Sequence, residues 1–349
     1  MTPSVSLAGI YDSNPFLSGT PHREGDFIVR LSPGVEAGHR SERVAFQGSY
    51  VQDAEAYARN PELDSSRARQ HAAAGVRYEA TRQSTMAANA TYTETLRPGE
   101  LSPQTGLEFG RKRAELVTVT PSLNHRFDPV AAGAAAYAYT RDKVDGGLST
   151  DTHTVTLGYD RKLAQRDKAT FGYVFQRFVF GDVQVTDAHV VTAGGTHDFT
   201  PRTSATLSAG PRFSEGTTRA EVSALLRYRL QKGDVSLSYL RTQVTAIGVA
   251  GPVNVESIGA AAVHSPVESL EIRAGASMAT STRGGFEATA YRMNLEARRR
   301  LTPDVSLVGS YEYNLQRGTL EAPGEGLMIR HVVLFAVAWS PRAEPRSAR

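Results

Sequence analysis

The 349-residue chain has no cysteine, which excludes disulfide staples, thiolate metal sites and cysteine nucleophiles. It also lacks a long apolar run. The longest, Val332–Trp339, falls far short of the roughly 20 residues that a membrane helix needs, so a helical membrane protein is excluded. Nor is there a block of like charge. The 39 lysines and arginines are interspersed with 36 acids, for a net charge of +3, which argues against a dedicated nucleic-acid binder. No HExxH, P-loop or GxSxG pattern occurs, and Gly324-Glu325-Gly326 reads as a turn rather than a nucleotide site. The 9 histidines are scattered singly, without ligand-like spacing. No metal or cofactor is therefore expected. The chain opens Met1-Thr2-Pro3-Ser4-Val5, with no basic stretch and apolar core behind it. An export leader is expected to have been removed.

What the sequence does have is alternation. Val305, Leu307, Gly309, Tyr311, Tyr313 and Leu315 oppose Ser306, Val308, Ser310, Glu312, Asn314 and Gln316. Ala220, Val222, Ala224, Leu226 and Tyr228 oppose Arg219, Glu221, Ser223, Leu225 and Arg227 in the same way. Segments around Leu270–Met278 and Tyr291–Arg298 repeat the pattern. Successive side chains of a strand point to opposite faces, so each segment has one apolar and one polar face.

Turn formers punctuate these segments in two ways. Tight turns are read at 40–42, 82–84, 128–129, 165–167, 200–202, 232–234, 265–266 and 302–304, and looser glycine- and proline-rich loops lie midway between them. The count gives about 18 antiparallel strands and puts both termini on one side, as an up-and-down transmembrane β-barrel requires. The expected organisation is a single barrel over residues 1–340 with a disordered polar tail at 341–349 on the periplasmic side. The loops are read as short, about 12 residues at most, with the first and third expected to constrict the lumen in part at most and not to plug it. A soluble β-sandwich or solenoid also alternates, but its strands are typically about 5–6 residues long.

Aromatic placement points to a membrane. Tyr78, Tyr159, Tyr228 and Trp339 fall close to tight turns, and Tyr50, Tyr92, Tyr137, Tyr139, Tyr311 and Tyr313 fall well beyond them. That makes two aromatic belts flanking an apolar band. A barrel of this size is too wide to be filled by side chains and encloses an aqueous lumen. The polar face that would line it carries Arg77, Glu79, Arg219, Glu221, Arg227, Arg229, Glu271, Arg273, Arg292, Glu296, Arg298 and Glu312. One reading is a mildly cationic conduit favouring anionic solutes. The other, which the mixed signs favour, is a set of cross-strand ion pairs. No catalysis is expected. His153 beside Ser149 or Thr152 is the only arrangement resembling a rim hydrolase, and serines and threonines are common enough here to produce it by chance.

One stretch carries a family resemblance. Tyr11-Asp12-Ser13-Asn14-Pro15-Phe16-Leu17, followed by Gly25-Asp26-Phe27-Ile28 and Leu31-Ser32-Pro33-Gly34, resembles the opening of a family of outer-membrane β-barrel porins associated with exopolysaccharide export loci. The composition is similar to that of a myxobacterial member. The resemblance implies a bacterial outer-membrane location and a barrel that completes a polysaccharide translocon. In that setting a periplasmic export protein is the partner and the polymer is the transported ligand. Asp12, Ser13, Asn14 and Pro15 are also ordinary turn formers. From the residues alone, the bilayer is the one partner expected. The alternative function is a general diffusion porin for small polar or anionic solutes.

Overall fold

The alternating segments form strands because one face of each can be apolar while the other stays wet. In a computed structural model, which describes residues 1–19, 24–181, 184–320 and 326–341, eighteen strands follow in chain order. They are β1 (Thr2–Asp12), β2 (Asp26–Arg40), β3 (Val44–Tyr57), β4 (Ser65–Glu79), β5 (Ser84–Thr95), β6 (Ala114–Arg126), β7 (Ala131–Val144), β8 (Ser149–Lys162) and β9 (Asp167–Phe180). Around the other half come β10 (Gln184–Asp198), β11 (Thr203–Ser214), β12 (Thr217–Leu230), β13 (Gly233–Val244), β14 (Val253–Val267), β15 (Leu270–Arg283), β16 (Phe286–Arg300), β17 (Val305–Gly318) and β18 (Leu327–Trp339). Residues 342–349, most of the expected tail, lie outside the described residues.

Each strand pairs antiparallel with its neighbours in sequence, and β1 pairs with β18, from Val5 opposite Trp339 to Asp12 opposite Val332. The sheet is a closed 18-stranded barrel with no free edge. In lipid this closure is obligatory, because no water is present to satisfy an open edge. Strand lengths run from 11 to 15 residues, as tilted membrane strands do. Short turns alternate with longer loops around the ring, so the two ends of the barrel differ.

The turn expected at Ser265-Pro266 lies instead at 268–269. Pro266 sits inside β14, where the register with β15 slips between His264 and Val267. A proline without an N–H is tolerated in a ladder at such an irregularity, so it did not mark the turn itself.

The register fixes which residues share a face. Leu7, Phe27, Val29, Leu207 and Phe335 lie on the outward face and are more than half exposed, Phe335 to 71%. So continuous an exposed apolar surface belongs against lipid. Tyr50, Tyr78, Tyr92, Tyr137, Tyr139, Tyr159, Tyr228, Tyr311, Tyr313 and Trp339 all lie on that same face. Tyr78 stands opposite Val44, next to a short turn, while Tyr50 and Tyr92 both flank Ala72, farther up the wall. Among the described residues the histidines do not cluster. His153, His189 and His331 each meet a tyrosine hydroxyl on the outward face, at 2.7, 2.9 and 3.0 Å. His153 is thus directed away from the lumen.

Candidate functional site

The inward face is polar, but one segment changes what it can do. The connection between β5 and β6 takes residues 96–113, longer than any loop expected, and it folds into the barrel. Its two ends are clamped to β3. Arg97 Nη2 donates to Glu55 Oε2 at 3.5 Å and to the Tyr57 hydroxyl at 3.4 Å, and Arg111 Nη1 donates to the same hydroxyl at 2.6 Å. Arg111 also lies over the Tyr57 ring, 5.0 Å from its centroid. From there the loop reaches β14–β16, half the ring away from its own strands.

The far contact is apolar. Leu107, 1% exposed, packs with Val253 and Val255 of β14, Ala279 of β15 and Ala288 and Ala290 of β16. Gly106 turns the loop there with φ of +67°, a conformation that favours glycine. A Cβ on it would stand 3.1 Å from the Ala290 Cβ, so small residues on the wall allow the approach. Three polar ties complete the bridge. The Glu108 N–H donates to Gln316 Oε1 at 2.8 Å, Arg292 Nη2 donates to Glu108 Oε1 at 3.2 Å, and the Ile247 N–H donates to Ser102 Oγ at 3.0 Å. The loop thus spans the lumen from wall to wall.

On one side of it lies a charged cavity of about 470 Å³. Arg30, Arg69, Arg292 and Arg330 reach it from the wall, and Arg97, Glu100 and Glu108 from the loop. Burial pushes the Glu108 carboxyl above its ordinary range, although Arg330 and Arg292 oppose that push. Burial alone would weaken the hold of Arg97 on its proton, but Glu55 and Glu100 outweigh it and the guanidinium holds its proton more firmly than a free one. Below this cavity the inner face of β16 presents Asn294, Glu296, Arg298 and Arg300. It leads to a second cavity of about 490 Å³ at the short-turn end, lined by Glu271, Arg273, Arg298 and Arg300 among others.

The residues singled out in the sequence divide between these places. By register all twelve share the inward face. Arg292 and Glu312 border the upper charged cavity, and Glu271, Arg273 and Arg298 the lower one. Some are neutralised where they stand. Arg77 and Glu79 lie 3.9 Å apart, Arg273 and Glu271 2.7 Å, Arg227 and Asp234 3.1 Å, and Glu221 meets Arg212 at 2.8 Å. Arg219, Arg229 and Arg298 make no ion pair among the described residues. The sequence reading passed over Arg30, Arg69, Arg97, Glu108 and Arg330, the groups that the loop brings together.

The stretch that carries the family resemblance has a structural task. Asp12 is fully buried and accepts from Arg330 Nε at 3.0 Å and Nη2 at 2.7 Å, across the seam where β18 meets β1. Asn14 is 1% exposed, and its side chain holds the turn that follows through the Ser18 carbonyl, at 2.7 Å. Asp26 accepts from the Asn60 side chain at 2.7 Å and from the Arg59 N–H at 3.0 Å, tying the first loop to the second.

No protein-family profile matches this chain, and no curated protein does. Among solved structures, the chain is similar in fold to OccK2 (OpdF) of Pseudomonas aeruginosa. The TM-score is 0.51 at 9% identity, over 97% of each chain. OccK3 (OpdO) of the same organism matches with a TM-score of 0.50 at 12% identity, over 97% of this chain and 95% of that one. At such identities the likeness shows the barrel fold alone.

Proposed function

We propose that the protein is a bacterial outer-membrane diffusion channel for small polar solutes, with a preference for anions, and that it acts without catalysis. The observation that carries this reading is loop 96–113 fixed across the lumen. It divides the wide bore, and the larger of the two cavities beside it is flanked by arginines of both wall and loop. Arg30, Arg97, Arg292 and Arg330 each face an acid, so the preference for anions rests on Arg298 and Arg300 toward the short-turn end, which make no ion pair among the described residues. A positive field without a counter-charge concentrates negative ions in a passage.

Conductance of the purified, folded protein in planar bilayers tests the reading. Discrete steps are expected without any added partner, with a reversal potential in a KCl gradient displaced toward chloride. Absence of steps, or cation selectivity, contradicts it.

A second reading is the outer-membrane part of a polysaccharide translocon docked on a periplasmic export protein. It draws support from the resemblance over residues 5–35 and from the size of the barrel. Two features weigh against it. The loop obstructs a polymer-wide bore, and Asp12, Asn14 and Asp26 have roles inside the barrel that need no partner. Surface polysaccharide on cells lacking the gene separates the two readings: it persists for a diffusion channel and disappears for a translocon.

A further inference from the structure

The other side of loop 96–113 faces a smaller cavity of about 280 Å³. The loop contributes Leu101, Ser102 and Thr105, and the wall contributes Thr140, Asp142, Thr152, Gln176 and Phe178, with Gln243 and Ile247 closing the far side. Its volume is just below the range of roughly 300–1,000 Å³ typical of ligand pockets, so only a small ligand fits. Among the described residues that line it, Asp142 is the only ionisable one, and none is a lysine or arginine.

Asp142 is 4% exposed and Gln243 5% exposed. Thr150, 1% exposed, stands opposite Asp142 on β8. Among the described residues Asp142 Oδ1 has no hydrogen-bond partner, and neither has Gln243 Oε1 nor Thr152 Oγ1. Three residues that line one small space therefore each carry a buried oxygen without a partner among the described residues. A buried carboxylate ordinarily has a cation beside it, because an uncompensated charge or acceptor is costly. Asp12, Glu55 and Glu108 each obey that rule with an arginine in this same lumen. Asp142 does not.

From this juxtaposition we infer that the cavity binds a small organic cation, a primary ammonium bearing a short apolar or aromatic group. An ammonium brings donors and a positive charge, which suit a cavity whose lining holds one acid, Asp142, among threonines and glutamines and no cation. The apolar group fits beside Leu101, Leu116, Ile247 and Phe178. The barrel then handles the two signs of charge on opposite sides of one loop. The inference uses the channel reading only for access; the site itself stands on the wall and the loop.

Calorimetric titration of the folded, detergent-solubilised barrel with benzylammonium chloride tests it, with sodium benzoate as the comparison ligand. Saturable binding of benzylammonium at one site is expected, with none of benzoate at that site. Asp142→Asn should weaken it by about tenfold or more, as loss of a charge-assisted contact does. Thr152→Val should weaken it less, and it guards against a folding defect in the first variant. Absence of saturable binding to the wild type overturns the inference, as does equal binding by Asp142→Asn or equal binding of benzoate. Water alone would then satisfy the three buried oxygens. Conductance in KCl is read separately, so failure of the channel reading and failure of this site give different results.

Discussion

The two faces of loop 96–113 look onto walls built on different principles. Toward β16–β18 and β2–β4, acids and arginines are buried together and answer one another: Glu108 with Arg292, Glu55 with Arg30 and Arg97, Asp12 with Arg330. Toward β6–β9 and β13, one carboxylate is buried among threonines, glutamines and a phenylalanine, with no cation near it. The loop that separates them serves both, through Arg97, Glu100 and Glu108 on one side and Leu101–Thr105 on the other. A single connection thereby turns a symmetric polar bore into two environments. Selectivity in such a lumen is a property of which side a solute takes.

Removing the partition is expected to have the largest effect. Replacing residues 99–109 with a short glycine–serine linker should raise single-channel conductance several-fold and reduce ion selectivity in planar bilayers. Ala290→Leu is a milder way to the same end, since a larger side chain occupies the place where Gly106 and Leu107 dock. Breaking the seam comes next. Asp12→Asn leaves Arg330 buried without its carboxylate, which should cost about 3–5 kcal/mol. The loss should appear as a lower midpoint in urea unfolding from lipid vesicles, with little change in the conductance of molecules that remain folded.

Glu108 sharpens the comparison through pH. Its carboxyl is raised by burial, so it takes up a proton above the range of about 4.3 at which an ordinary glutamate does. The folded state then holds a proton that the unfolded chain has released. The stabilisation from that proton is complete below the unfolded pKa and is lost as pH rises through the folded pKa. For the channel, falling pH removes one negative charge facing Arg292 and Arg330. Chloride selectivity should rise as pH falls through this window, and Glu108→Gln should show the higher selectivity already at neutral pH, without the step. The smallest effect is expected from Arg77→Gln. That arginine is exposed, lies 3.9 Å from Glu79 and borders neither charged cavity. The reversal potential should barely move.

Much of the barrel was legible because strand period and turn chemistry are local. Alternation in β12 and β17 survives intact, since one face meets lipid and the other water. β18 was harder to read. Val332, Leu334 and Ala336 are inward yet apolar, because they pack with Ala8, Ile10 and Ile28 at the seam. With both faces apolar the period vanishes, and Arg330 was lost in it. The same cluster hides Arg30 beside Ile28 in β2. The site was illegible for a different reason. Loop 96–113 carries Pro98, Gly99 and Pro103 and reads as a connection that narrows the lumen at most in part, but Leu107 and Phe109 have no reason to be apolar in a loop that docks on nothing. That mismatch was the available signal. Which wall the loop meets depends on the closed ring, and no local pattern encodes half a turn of a barrel.

The central claim is that loop 96–113 is fixed against the wall half the ring away, and the absence of cysteine makes it directly testable. Gly106→Cys with Ala290→Cys places two thiols where the backbone puts the Cβ atoms 3.1 Å apart, close enough for a disulfide after a small adjustment. The account predicts efficient cross-linking under mild oxidation, seen as a gel-mobility shift reversed by reductant, with conductance close to that of the native channel. A pair that stays reduced under those conditions, in a barrel shown to be folded, would contradict it.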